Sequence, residues 1–191
     1  MAELPPWSLD SAGLSVRELP APRAIASVIA RRGMTEAAAA FIADGLRTPL
    51  PEVMVLPTGP GHWLAIRDAE NRDIPVSQAL ANAAGNGGEG PLLEAQLAAA
   101  LGAWASVCDQ TGGRVRFAVG GERAREFLGR GVGIDLHPQH FAVGQVAVTA
   151  IAHIGAVLWQ VDTRPTYHLL VAGSYAGSFR HWLQSTVAAL G

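Results

Sequence analysis

Apolar and polar residues alternate along most of this chain with two periods, and the switches between them mark its elements. "AIASVIAR" (Ala24 to Arg31) has the β-branched content of a strand. "TEAAAAFIADGL" follows as a helix over 35–46, with Thr35 as N-cap, Glu36 at the positive end and Gly45 near the stop. "EVMVL" and "HWLAIR", joined through Pro60 and Gly61, read as a hairpin. Two alanine-rich helical pieces then flank a glycine-rich loop, and Leu93, Leu97 and Leu101 give the second piece an apolar stripe.

In the second half, "WASVCDQTGGRVRFAVGG" contains two strands around Gly112 and Gly113. Val115, Phe117 and Val119 point to one side of the latter strand, with Arg114, Arg116 and Ala118 on the other. "ERAREFLGRG" is a short helix with Glu122 at its start, Arg130 at its end and Gly131 as C-terminal cap. Three strand-like runs follow, "QVAVTAIA", "AVLWQV" and "YHLLVA". A final helix starts near Ser174, its N-cap, and buries the face carrying Phe179, Trp182, Leu183, Thr186, Val187 and Leu190.

The halves echo each other at an offset of 105 residues, where "TGPGHWLAI" (Thr58 to Ile66) lies over "TRPTYHLLV" (Thr163 to Val171). The order strand, helix, strands, helix thus occurs twice. The expected architecture is α+β: a proline-rich extended arm over 1–23, then a single domain over 24–191 built of pseudo-repeats at about 24–102 and 103–191.

Composition narrows the function. With 49% hydrophobic residues the chain folds, and a net charge of −2 with scattered cations argues against nucleic acid or an anionic membrane as partner. Cys108 is the single cysteine, so no intrachain disulfide forms. The start lacks a signal-peptide pattern and no apolar run matches a bilayer span, so a cytoplasmic location is expected. Only 16% of residues are charged, which suggests a surface partly covered by a partner.

Candidate chemistry is sparse. Asp135, His137 and His140 lie close together in "GRGVGIDLHPQHF", yet Pro138 interrupts any helix that would align them as metal ligands, and Asp135 suits a turn. "GNGGEG" (Gly85 to Gly90) satisfies a dinucleotide-loop spacing but follows a helical stretch instead of a strand, so a surface loop is the reading. "GSYAG" misplaces Ser174 for a nucleophile elbow. Cys108 reads as a small buried hydrophobe in a strand, and His62, His153, His168 and His181 as packed or half-exposed imidazoles. Trp7, in the proline-rich arm with nothing local to pack on, reads as an anchor into another subunit. No catalytic, cofactor-binding or metal residue is assigned.

The segment from Asp109 to Leu190 resembles the gamma subunit family of heterotetrameric sarcosine oxidase. The resemblance rests on the "G-x-x-A-R-x-F-L-x-R-G" helix (Gly121 to Gly131), "IDLHP" (Ile134 to Pro138) and "S-Y-A-x-S-F-x-x-W-L" (Ser174 to Leu183), with "LPTGPGHWLAI" as a further match in the first half. It implies a fold similar to the folate-binding domain of the glycine-cleavage aminomethyltransferase. It also implies alpha, beta and delta partner subunits: beta carrying FAD and FMN, alpha carrying NAD and tetrahydrofolate, delta holding zinc. In such complexes an N-methyl amino acid loses a hydride to FAD, electrons pass through FMN to oxygen, and the methylene unit joins tetrahydrofolate or leaves as formaldehyde. The gamma chain has no assigned catalytic group, so a structural role is implied, with Trp7, His137, His140 and Phe141 as expected interface residues. The other readings are a stand-alone folate-binding relative of the aminomethyltransferases and a scaffold module of a different complex.

Overall fold

A computed structural model describes residues 7–46, 50, 52–68 and 93–190. Its ten strands are β1 (Ser8–Ser11), β2 (Leu14–Glu18), β3 (Ala24–Ala30), β4 (Val53–Gly59), β5 (His62–Arg67), β6 (Ala105–Asp109), β7 (Arg114–Gly120), β8 (Val146–Ile151), β9 (Ile154–Asp162) and β10 (Thr166–Ala172). The helices are α1 (Thr35–Ala40), α2 (Leu93–Leu101), α3 (Ala124–Gly129) and α4 (Ala176–Leu190). The fold is α+β, as the periodicity predicts. The first of the two alanine-rich helical pieces and the "GNGGEG" loop lie outside the described residues.

The chain forms two compact units, one of Met1–Ala21 with Gly113–Gly191 and one of Pro22–Gly112. The first holds an antiparallel sheet in the order β1-β2-β7-β10-β9-β8. Alternate residues of one face, among them Val16, Phe117, Val119, Leu158, Tyr167, Leu169 and Val171, pack with Phe127 and Leu128 of α3 and Phe179 and Leu183 of α4. The second unit holds an antiparallel sheet in the order β4-β5-β3-β6. Its core joins Ala26, Val28, Trp63, Ala65 and Ala105 to Ala38 of α1 and the Leu93, Leu97, Leu101 stripe of α2.

After its opening strand each repeat runs strand, helix, hairpin, helix, and the echoing segments fall on the return strands β5 and β10. The opening strands are exchanged: β2 pairs with β7 of the second repeat, and β6 pairs with β3 of the first. The two strands around Gly112 and Gly113 therefore belong to different sheets. The exchange is also why the compact units divide at 21/22 and 112/113.

The start of the chain, read as an extended arm, is over its described part the hairpin β1–β2, with Leu14 and Val16 in the core. Gly13 turns the hairpin at φ 74°, and its carbonyl accepts from the Arg123 amide at 3.0 Å. A Cβ at Gly121 would collide with that same carbonyl, so glycine there lets the loop before α3 meet the hairpin.

Helix ends differ from the sequence reading in three places. Met34, not Thr35, precedes the first turn of α1, without a side-chain cap, and the helix widens into a π-turn over Phe41–Gly45, where the Phe41 ring covers Gly45. Ser174 lies inside a 3-10 turn, Gly173–Tyr175, and caps nothing. Glu122 lies outside α3, whose first-turn acid is Glu126, and Gly131 is no left-handed cap; a Cβ there would stand 2.5 Å from Trp182 Cζ2. Its smallness admits the indole, which lies tilted against both Phe127 and Phe179 at 5.5 Å.

Candidate functional site

The segment Asp135 to Phe141 leaves α3 through Gly131 and Val132, whose amides both bond the Leu128 carbonyl. Two apolar residues pin it: Leu136 and Phe141, each 6% exposed, belong to the core of the first unit. Arg125 Nε donates to the Leu136 carbonyl at 3.1 Å, and the Phe141 ring lies 6.3 Å from that of Tyr167. Tyr167 is buried, and burial holds its phenol above its ordinary pKa, an effect the nearby Arg125 charge partly offsets.

Between these pins the polar groups serve the turn itself. Asp135 Oδ1 accepts from the His137 amide at 2.8 Å, and the amides of His140 and Phe141 both bond the His137 carbonyl at 2.8 Å. His137 Nδ1 accepts from the Gln139 amide at 3.3 Å. His140 Nε2 stands 3.8 Å from Asp135 Oδ2 with both side chains more than 60% exposed, so water screens the pair. The His137 and His140 rings are 6.2 Å apart. Among the described residues no three His, Cys, Asp or Glu side chains converge as metal ligands. What the arrangement can do is hold two imidazoles outward on a rigid base.

The other candidates fall elsewhere. Trp7, read as an anchor for a partner, meets Phe117 edge-on at 6.1 Å and packs on its own unit's core, because β1–β2 folds back instead of extending. Phe141 is likewise spent internally. Cys108 is exposed rather than buried, because it lies on the edge strand β6; Gln110 Nε2 approaches its sulfur at 3.8 Å. Beside it, Thr111 donates its hydroxyl and its amide to Asp109 Oδ1, at 2.6 and 2.9 Å, which lowers the Asp109 pKa. His62, His153 and His181 are exposed, and His168 is half-buried edge-on to Trp159 at 5.4 Å. The sequence reading missed the support that Arg125 and Tyr167 give the turn; the apolar flanks of "IDLHPQHF" were the available signal.

A family model, described as the sarcosine oxidase, gamma subunit family, matches residues 37–189. Among solved structures, the chain is similar to a heterotetrameric sarcosine oxidase from Corynebacterium sp. U-96 in complex with pyrrole 2-carboxylate. The TM-score is 0.68 at 21% identity, over 92% of this chain and 84% of that one, a likeness of fold. A match to E. coli aspartokinase III in complex with aspartate and ADP, with TM-score 0.46 and 14% identity over 91% of this chain and 32% of that one, is too weak to carry an argument. No curated protein matches.

Proposed function

The chain belongs to the sarcosine oxidase gamma subunit family, and from that premise we propose that it is the structural subunit of a heterotetrameric, flavin-dependent oxidase of sarcosine or a related N-methyl amino acid. The family match along residues 37–189 carries this reading. It is supported by the turn at Asp135 to Phe141, whose polar groups satisfy one another instead of converging on a substrate. The exposed apolar side chains Ile29, Met34, Trp104, Val143, Val148 and Val161 suit a chain that meets neighbours.

In this reading alpha, beta and delta subunits bind FAD, FMN, NAD, tetrahydrofolate and zinc and perform the demethylation, and this chain contributes assembly. His137 and His140, not Trp7 or Phe141, are what the turn offers a neighbour.

Isolation through an affinity tag on the chain in its native source tests the proposal. The expected result is a stoichiometric set of companion polypeptides with flavin absorbance and sarcosine-dependent formation of peroxide or formaldehyde, while the separated chain turns over nothing. Recovery of a solitary monomer, or amine oxidation by this chain alone, overturns it.

A further inference from the structure

The six-stranded sheet ends in two edges, and they are built differently. β1 carries Asp10, and of the edges of the four-stranded sheet β4 is broken by Pro57 with a register shift and β6 ends in Asp109. Charge and proline are the usual means of keeping an edge from pairing with another chain. β8, "VAVTAI", has neither, and from Phe141 to Val161 there is no Asp, Glu, Lys or Arg in a chain that is 16% charged. Among the described residues β8 also has no counterpart in the first repeat, where the hairpin β4–β5 corresponds to β9–β10.

The hairpin fixes which groups the edge presents. Ile151 and Ile154 flank a two-residue turn and form a hydrogen-bonded pair, so Val148 and Val146, opposite Val157 and Trp159, belong to the alternate set that turns N–H and C=O outward. Among the described residues only the far end is covered, by a bridge from Val132 to Ile151 and a bond from the Ala152 amide to the Gly131 carbonyl. About five residues remain open, roughly 17 Å of strand. Val148, 58% exposed, and Val161, 42% exposed, border this edge on one face, with Val143, 47% exposed, just before it.

We propose that the open edge of β8, Val146 to Ala150, seats a strand from a neighbouring subunit: an extended, uncharged segment with apolar side chains at alternate positions. The chemistry of the seat selects that occupant. Backbone groups supply a ladder, the valines supply apolar contact, and a charged segment would lose its hydration against a surface with no charge to offer in return. The inference rests on the subunit reading above.

The test uses the complex isolated through the tagged chain, in wild-type form and as Val148→Lys and Tyr175→Lys; both positions are more than half exposed, so both variants should fold with an unchanged Tm. The expected result is at least about tenfold less companion protein with Val148→Lys, full recovery with Tyr175→Lys, and wild-type assembly that survives molar salt. The outward amides of Val146, Val148 and Ala150 should exchange fast in the separated chain and slowly in the complex. If the Val148→Lys variant keeps its companions and those amides exchange alike in both states, the inference is overturned while the subunit reading stands. If salt dissolves the complex, the occupant is not uncharged; if Val148→Lys instead abolishes pairing between two copies of this chain, the occupant is a second copy; either overturns it. If the wild type brings no companions, both readings fall.

Discussion

The two compact units share a repeat and differ in what fills it: rings in one, methyl groups in the other. Phe117, Phe127, Phe141, Tyr167 and Phe179 occupy the core of the first unit, with Trp7 and Trp182 packed on it. Among its described residues the second unit places Ala26, Ala38, Ala65 and Ala105 in its core, with Trp63 beside them and Phe41 packed against it. Small side chains let helix and strand backbones approach, whereas rings fill a wider gap with more dispersion contact and area removed from water. The same order of elements therefore supports two cores of different side-chain make-up. The first is also tied by Glu18, which takes two bonds from Arg180 at 2.6 and 2.9 Å and fastens β2 to α4.

Truncation should break the comparison most visibly. Phe117 has no exposure and touches Trp7 and Phe179, so Phe117→Ala should cost about 3–5 kcal/mol, with hydrogen exchange quickening in β7 and β10. Leu97→Ala, equally buried in the second unit, should cost about 2–3 kcal/mol, because alanine neighbours leave fewer atoms to lose contact. Equal losses in denaturant titrations would remove the distinction between the cores. Overpacking comes next: Gly131→Ala drives a methyl into Trp182 and should cost about 1–3 kcal/mol, read as a lower Tm with altered Trp fluorescence.

A pH titration sharpens the contrast further. Burial raises the Tyr167 pKa, so the phenol's contribution is fully present below about 10, the unfolded value, and is lost as pH rises through the folded value. Unfolding midpoints followed from pH 8 to 12 should fall less steeply in Tyr167→Phe than in wild type; an unchanged slope would show that Tyr167 is not the group responsible. The smallest effect belongs to the β8–β9 turn, where Ala152 and His153 hold φ of 48° and 67°. Asn and Gly suit that left-handed geometry, so the Ala152→Asn, His153→Gly double variant should gain about 1 kcal/mol in chemical denaturation.

Much of the fold is legible in the residues. Leu93, Leu97 and Leu101 are buried as their spacing implies, Val115, Phe117 and Val119 face one core together, and Gly61 takes the positive φ that its hairpin requires. The turn at Asp135 was also readable, because Asx turns are local and Pro138 excludes a helix. Less legible was the other side of β7, where Arg116 and Ala118 are each only 4% exposed although alternation marks that face as polar. The fate of Trp7 was hidden for a different reason: its partner, Phe117, lies 110 positions away along the chain.

Periodicity and turn chemistry are properties of neighbouring residues, so the sequence by itself determined the α+β class, the doubled order of elements and the turn at Asp135. Strand partnership is a property of distant ones. Nothing local in "ASVCD" or "RVRFAVG" states that consecutive strands part into different sheets, or that "LSVRE" crosses to the second repeat. Those choices follow from which edges remain unpaired once every other backbone group is satisfied, a condition that only the assembled tertiary structure defines.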